Sequence, residues 1–217
     1  MIRLLKWFGL MLVLVLAVTP LLADEPAAGR AGRAEVRFME GMIDHHQMAL
    51  DMAEDCLVNA VTDELKTMCQ DVIDAQSGEI SQMQAWLKGW YGLVYNPVSM
   101  AMMMQFMPAD MTVDGVMLGG MAESAGHGGM GHGGMPAGMD PPMMMGMMAG
   151  LSRLEGQEYE IAWMEAMIDH HDDAIHMSER LLARGEHQEL LDMAQQIITD
   201  QTAEIESMEA MIMERGA

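Results

Sequence analysis

Four histidines stand in two adjacent pairs, His45-His46 and His170-His171, and each pair closes the same string, Met-Ile-Asp-His-His. Imidazole binds copper in either oxidation state, and thioether sulfur prefers soft cations, above all Cu(I). Both donor types are close at hand. The first pair has Met42 and Met52 beside it, and the second has Met167, His176 and Met177. A third set lies in a glycine-rich run, His127-Gly-Gly-Met130-Gly-His132-Gly-Gly-Met135. The chain holds 31 methionines in 217 residues, and about half of them fall between Tyr95 and Leu151. Such density exceeds what one buried face can absorb, and it points to soft-metal binding.

On a helical wheel His45 and His46 flank the stripe of Met42, Ala49 and Met52, so at least one ring turns inward. The same holds for His170 and His171 beside Met167 and Met177. Gln76, Glu79, Gln201 and Glu204 interrupt the apolar faces of the partner helices. Folding each hairpin about its turn sets Gln76 level with His45 and Glu79 level with Met42, and likewise Gln201 with His170 and Glu204 with Met167. Buried polar groups must be paired or bound to a metal, or they cost on the order of 1–3 kcal/mol each. Two readings follow. A satisfied His–Gln–Glu hydrogen-bond cluster would fix helix register. Alternatively, a methionine and an imidazole hold copper while the glutamate orients the ring from behind. Most helical methionines, such as Met39, Met68, Met83, Met164, Met193 and Met208, have the spacing of core packing. Those of the crossover, including Met100, Met102–Met104, Met107, Met143–Met145, Met147 and Met148, are either ligands or a sticky docking surface.

The elements that position these groups arise by duplication. Residues 38–87 and 163–212 align without a gap at an offset of 125, with 21 of 50 positions identical. Each copy reads as two amphipathic helices with apolar residues spaced by three and four. Asn59–Thr62 supplies the first turn, with Thr62 as N-cap, and Gly185 the stop in the second copy. The expected architecture is all-α, a ferritin-like four-helix bundle of two duplicated helical hairpins, 36–90 and 155–214, joined by a long Met/Gly-rich crossover, 91–154. The crossover is expected to be metal-dependent in its middle, with helical turns at Val98–Phe106 and Met143–Leu154.

Arg3 and Lys6 precede an almost wholly apolar run, Trp7–Leu22, ending in Ala23. This predicts a secretory signal peptide over residues 1–23 and a single-domain mature chain over 24–217. Export places the protein in the periplasm or outside the cell, where Cys56 and Cys69 are expected to form a disulfide. A pair of copper thiolates is the alternative. Loss of the signal moves the formal charge from −22 to about −24. Such acidity excludes nucleic acid, which needs clustered Lys and Arg. No nucleophile triad, phosphate loop or dinucleotide fingerprint is present, so no enzyme activity is expected.

The doubled motif resembles the domain-of-unknown-function family numbered 305. Its marks are Met-Ile-x-His-His followed by Gln-x-x-Glu-Ile-x-x-Met, found here at Met42–His46 with Gln76–Met83, and again at Met167–His171 with Gln201–Met208. The resemblance implies a ferritin-like bundle, and its CopM-type members are periplasmic proteins that tolerate or export Cu(I) through Met and His sites. The second copy departs in carrying Asp173 where the first has Met48. The expected function is sequestration or shuttling of Cu(I), and of Ag(I), in metal tolerance, with a copper-exporting or copper-accepting protein as partner. The alternatives are a ferritin-like metal oxidase, for which the carboxylates are too few, and a metal-free module that docks through its methionines.

Overall fold

Apolar residues recur at helical spacing in four stretches, and the computed structural model folds each into one long helix. It describes residues 25–99, 102, 112–113, 116–117 and 147–216. The signal peptide and the run His127, Met130, His132 and Met135 lie outside the described residues. Helix α1 spans Gly29–Asn59, α2 Asp63–Tyr91, α3 Gly156–Leu182 and α4 Gln188–Glu214. The hairpins α1/α2 and α3/α4 meet chiefly along α1 and α3, giving a four-helix bundle.

The ends of the helices follow local chemistry. Thr62 caps α2, its hydroxyl accepting from Leu65 N at 3.5 Å, with Asp63 and Glu64 at the positive end of the helix dipole. At the other end of α2, Gly92 adopts φ 66°, a left-handed conformation that suits glycine. The Gly92 N–H then bonds Lys88 O at 3.2 Å, and Leu93 N–H bonds Leu87 O at 3.0 Å. Gly185 N–H closes on Leu181 O at 2.8 Å, just past α3. Helix α1 begins at Gly29, ahead of the expected start at 36, because Ala31 and Glu35 are themselves buried between the hairpins. In the crossover a helical turn forms at 147–151, within the expected span, and Met147 and Met148 pack against the core. Of the expected turn at Val98–Phe106, Met102 is helical and its N–H bonds Ser99 O at 3.0 Å, while residues 100, 101 and 103–106 lie outside the described residues. Thr112–Val113 and Val116–Met117 pair as two antiparallel strands of two residues each, too short for alternation to announce them.

Two apolar clusters fill the bundle. One holds Met52, Cys56, Leu65, Trp163, Met167 and Met208, and the other holds Phe38, Met39, Met42, Met83, Leu87 and Met177. Trp163 anchors the first cluster, its indole N–H donating to Met52 O at 2.9 Å. Cys56 and Cys69 form a disulfide across α1 and α2, with Cα atoms 6.3 Å apart. A bridged pair has no thiolate to offer, so the copper-thiolate alternative is overturned.

Candidate metal centre

The two histidine pairs fall between the apolar clusters along both α1 and α3. Because α1 and α3 run antiparallel, the pairs meet at one level in the middle of the bundle. His45 and His170 face each other across the junction of the repeats, with ring centroids 3.6 Å apart and planes inclined by 35°. His46 and His171 stand outside them, 6.4 Å and 6.3 Å from their sequence neighbours. All four are buried. His46 Nε2 lies 2.6 Å from Glu79 Oε2, and His171 Nε2 lies 2.6 Å from Glu204 Oε2. Sequence reasoning set each glutamate level with Met42 or Met167. Each instead reaches the histidine one helical turn along.

A carboxylate oxygen accepts, so Nε2 of His46 and of His171 donates to it, and in the neutral ring Nδ1 is the nitrogen left with the lone pair. Neither Nδ1 has a hydrogen-bond partner. Both ring nitrogens of His45 and of His170 also lack one, as do Gln76 Oε1 and Gln201 Oε1. The satisfied hydrogen-bond cluster expected as one reading is therefore only half present: the glutamates are engaged, and the glutamine oxygens and inner imidazoles are not. Burial pushes the inner rings of His45 and His170 well below the usual histidine range, and the neighbouring histidines push the same way. The main chain of the opposite histidine offsets this in part without reaching hydrogen-bonding geometry. Both inner imidazoles are thus neutral at pH 7, the form that binds metal.

Orphaned lone pairs in a dry interior fit a metal ion that would complete them. Among the described residues, no three His, Cys, Asp or Glu side chains converge into a ready-built cage. The donors come instead as imidazole pairs flanked by thioethers, a set suited to a soft cation rather than to one that wants carboxylates. Met42 and Met177 fall in one apolar cluster and Met52 and Met167 in the other, so each side receives one methionine from each repeat. All four are buried. The expected His176-Met177 donor set does not form. Consecutive helical residues point about 100° apart, so Met177 turns inward while the His176 side chain is 63% exposed and pairs with Glu179 at 3.2 Å.

Two residues outside the aligned repeat hold the hairpins in register. Glu35, on α1, is fully buried and caps α4, accepting from Glu186 N at 2.6 Å and His187 N at 2.9 Å. Its other oxygen takes Tyr91 OH at 2.5 Å and His187 Nδ1 at 2.5 Å. Glu160, on α3, caps α2 in the same way, accepting from Val61 N at 2.9 Å, Thr62 N at 2.7 Å and Arg215 Nε at 3.1 Å. Burial raises both carboxyls, but these hydrogen bonds outweigh it and hold them below the ordinary value. The pairs Glu35/Glu160, Val61/Glu186 and Thr62/His187 are each 125 residues apart, so every repeat caps the other with a duplicated carboxylate. A glutamate conserved across the offset just upstream of residue 38 was the signal available in the sequence.

The sequence profile of the family described as "Domain of unknown function (DUF305)" matches residues 35–212. Among solved structures, a DUF305 protein of Streptomyces coelicolor, described as secreted, superposes with a TM-score of 0.59 at 22% identity, covering 85% of this chain and 94% of that one. CopM in its Cu(II)-bound form superposes at 0.54 with 29% identity, covering 82% and 94%. CopM in its Cu(I)-bound form superposes at 0.58 with 23% identity, covering 84% and 98%. No curated protein matches the sequence significantly.

Proposed function

This chain belongs to the DUF305 family, and from the donors gathered in its core we propose that it binds copper, sequestering or shuttling Cu(I) in the periplasm or outside the cell. The observation that carries this reading is the central layer of buried imidazoles with unpartnered ring nitrogens. Neutral His45 and His170 would supply the inner donors. His46 and His171 would bind through Nδ1, their tautomers held by Glu79 and Glu204. Met42 and Met177 on one side, and Met52 and Met167 on the other, would add the thioethers that favour Cu(I), and by the same softness Ag(I). CopM, similar in sequence and fold, has been solved with Cu(II) bound.

The methionines and histidines of the crossover would add further, exchangeable capacity in metal tolerance. Binding and transfer to a copper-exporting or copper-accepting protein would suffice, without a catalytic step. Export agrees with the apolar N-terminal run and with a relative described as secreted. No described helix is long and apolar enough to cross a membrane.

The test is an anaerobic Cu(I) titration of the mature protein against a chromogenic chelator, with Zn(II) and Fe(II) alongside. The expected result is several equivalents of Cu(I) held more tightly than either comparison metal. Failure to compete for Cu(I) would overturn the proposal and return the methionines to packing and contact roles.

A further inference from the structure

The chain is acidic nearly throughout, yet its few cations are gathered. Of its 11 lysines and arginines, Arg30, Arg33, Arg37, Arg180 and Arg184 line one groove of about 930 Å³ between the start of α1 and the end of α3. All five are exposed. Among the described residues, the only lysine or arginine within 4.0 Å of a carboxylate is Arg215, at Glu64 and Glu160, so none of these five guanidinium groups forms a direct ion pair there. Two acids share the groove, Glu40 and Asp44. Asp44 is already engaged by Tyr95 OH at 2.5 Å.

The duplication supplies an internal control. At an offset of 125, Arg30 corresponds to Glu155, Arg33 to Glu158, Arg37 to Ala162, Arg180 to Asp55 and Arg184 to Asn59. Glu40 and Asp44 are matched by Glu165 and Asp169. The shared fold thus accounts for the two acids and for none of the arginines. One end of a pseudo-symmetric bundle has become cationic, against the charge of the whole molecule.

Five like charges gathered against two acids in one groove repel one another and cost stability unless an anion relieves them. Every one of the five is arginine, whose planar fork takes two oxygens of one phosphate at once. The floor, formed by Ala34, Phe38, Met177 and Leu181, is mostly apolar, which lowers the local dielectric and strengthens each pair. The groove is too large for a single phosphate and lies within the size range of ligand sites. We propose that it binds a ligand bearing two or more phosphate groups, either a free polyphosphate or the headgroups of anionic phospholipids. The groove shares the Met177 side chain with the proposed copper donors, but its arginines lie outside that set, and this inference does not rest on copper binding.

The experiment uses metal-free mature protein at low salt, with two probes. Sodium tripolyphosphate is titrated by calorimetry, and phosphatidylglycerol vesicles are compared with phosphatidylcholine vesicles by sedimentation. The comparison protein is the triple variant Arg33→Gln/Arg37→Gln/Arg180→Gln, whose changed positions are all exposed. The wild type is expected to bind at least one probe, with affinity falling at least tenfold in the variant while helicity, melting and Cu(I) capacity stay unchanged. Binding of tripolyphosphate identifies a free polyphosphate as the ligand class, and binding of phosphatidylglycerol vesicles alone identifies the headgroup. Equal binding by wild type and variant, or no binding of either probe, overturns the proposal. Self-association abolished by the substitutions, with neither probe bound, also overturns it, in favour of a second copy of this chain whose acidic end fills the groove.

Discussion

Replacing both inner histidines by leucine, as His45→Leu/His170→Leu, separates a metal site from a register device, because the two predict opposite changes in stability without metal. Each inner ring buries two nitrogens with no partner. Leaving such a group unsatisfied costs about 1–3 kcal/mol, whereas an apolar group of similar shape restores the loss. Taking about 2 kcal/mol per ring and subtracting about 1 kcal/mol per site for imperfect packing and the lost ring contact leaves a net gain of about 2 kcal/mol for the pair. For a chain of this length that raises the melting temperature by about 4–8 °C. The assay is calorimetric melting in the presence of a chelator, repeated with Cu(I) added anaerobically. The wild type should gain stability from Cu(I), by about 2.7 kcal/mol when free metal is 100 times its dissociation constant. The variant should melt higher without metal and respond far less to it. A variant that loses 2 kcal/mol or more without metal while keeping the full Cu(I) response would refute the reasoning, since the rings would then be satisfied and structural.

Acid should weaken the metal-free fold before the carboxylates titrate. The pKa values of His45 and His170 are depressed in the folded state, so the unfolded chain takes up more protons below about pH 6.5 and stability falls with pH. The slope contributed by the two is up to about 2.7 kcal/mol per pH unit, and denaturant melts between pH 6.5 and 5 should show it shrinking in the double leucine variant. Glu35 and Glu160 carry lowered pKa values, so their contribution is present at neutral pH and disappears only below about pH 4.5. Glu35→Ala should cost about 3–5 kcal/mol in urea melts, because it strips two backbone N–H groups, Tyr91 and His187 of their acceptor at once. Reducing the Cys56–Cys69 disulfide, which spans a sequence separation of 13, should lower stability by about 3 kcal/mol at most, read as a shift in the urea midpoint. Replacing residues 104–145 by a glycine–serine linker of equal length should remove much of the Cu(I) capacity and leave the circular dichroism of the bundle unchanged, because Met147, Met148 and Leu151, which pack on the core, are retained.

Periodicity, capping chemistry and duplication are properties of short stretches of chain, so the sequence alone determined much of this protein. The spacing of Phe38, Met42 and Ala49 gave the first helix, Thr62 marked the start of the second, and the 125-residue offset required two equivalent hairpins. It also put histidines and methionines on the inward stripes and Glu79 and Glu204 opposite them. A helical wheel, however, describes one helix at a time. That His45 meets His170 rather than its own hairpin partner, and that the methionines are dealt out one from each repeat to either side, depends on how α1 crosses α3. That crossing is set by the summed packing of Trp163, Met164, Met39 and their neighbours, and no local pattern encodes it. The same is true of the reciprocal caps: Glu35 acts on backbone groups 151 and 152 positions away and Glu160 on groups 98 and 99 positions away. His176 shows the converse: beside the motif in sequence, it is carried to the surface by one step of helical rotation. The arginine groove, too, exists only once the start of α1 and the end of α3 lie side by side. Charge is written in the sequence, but its concentration in space is decided by the fold.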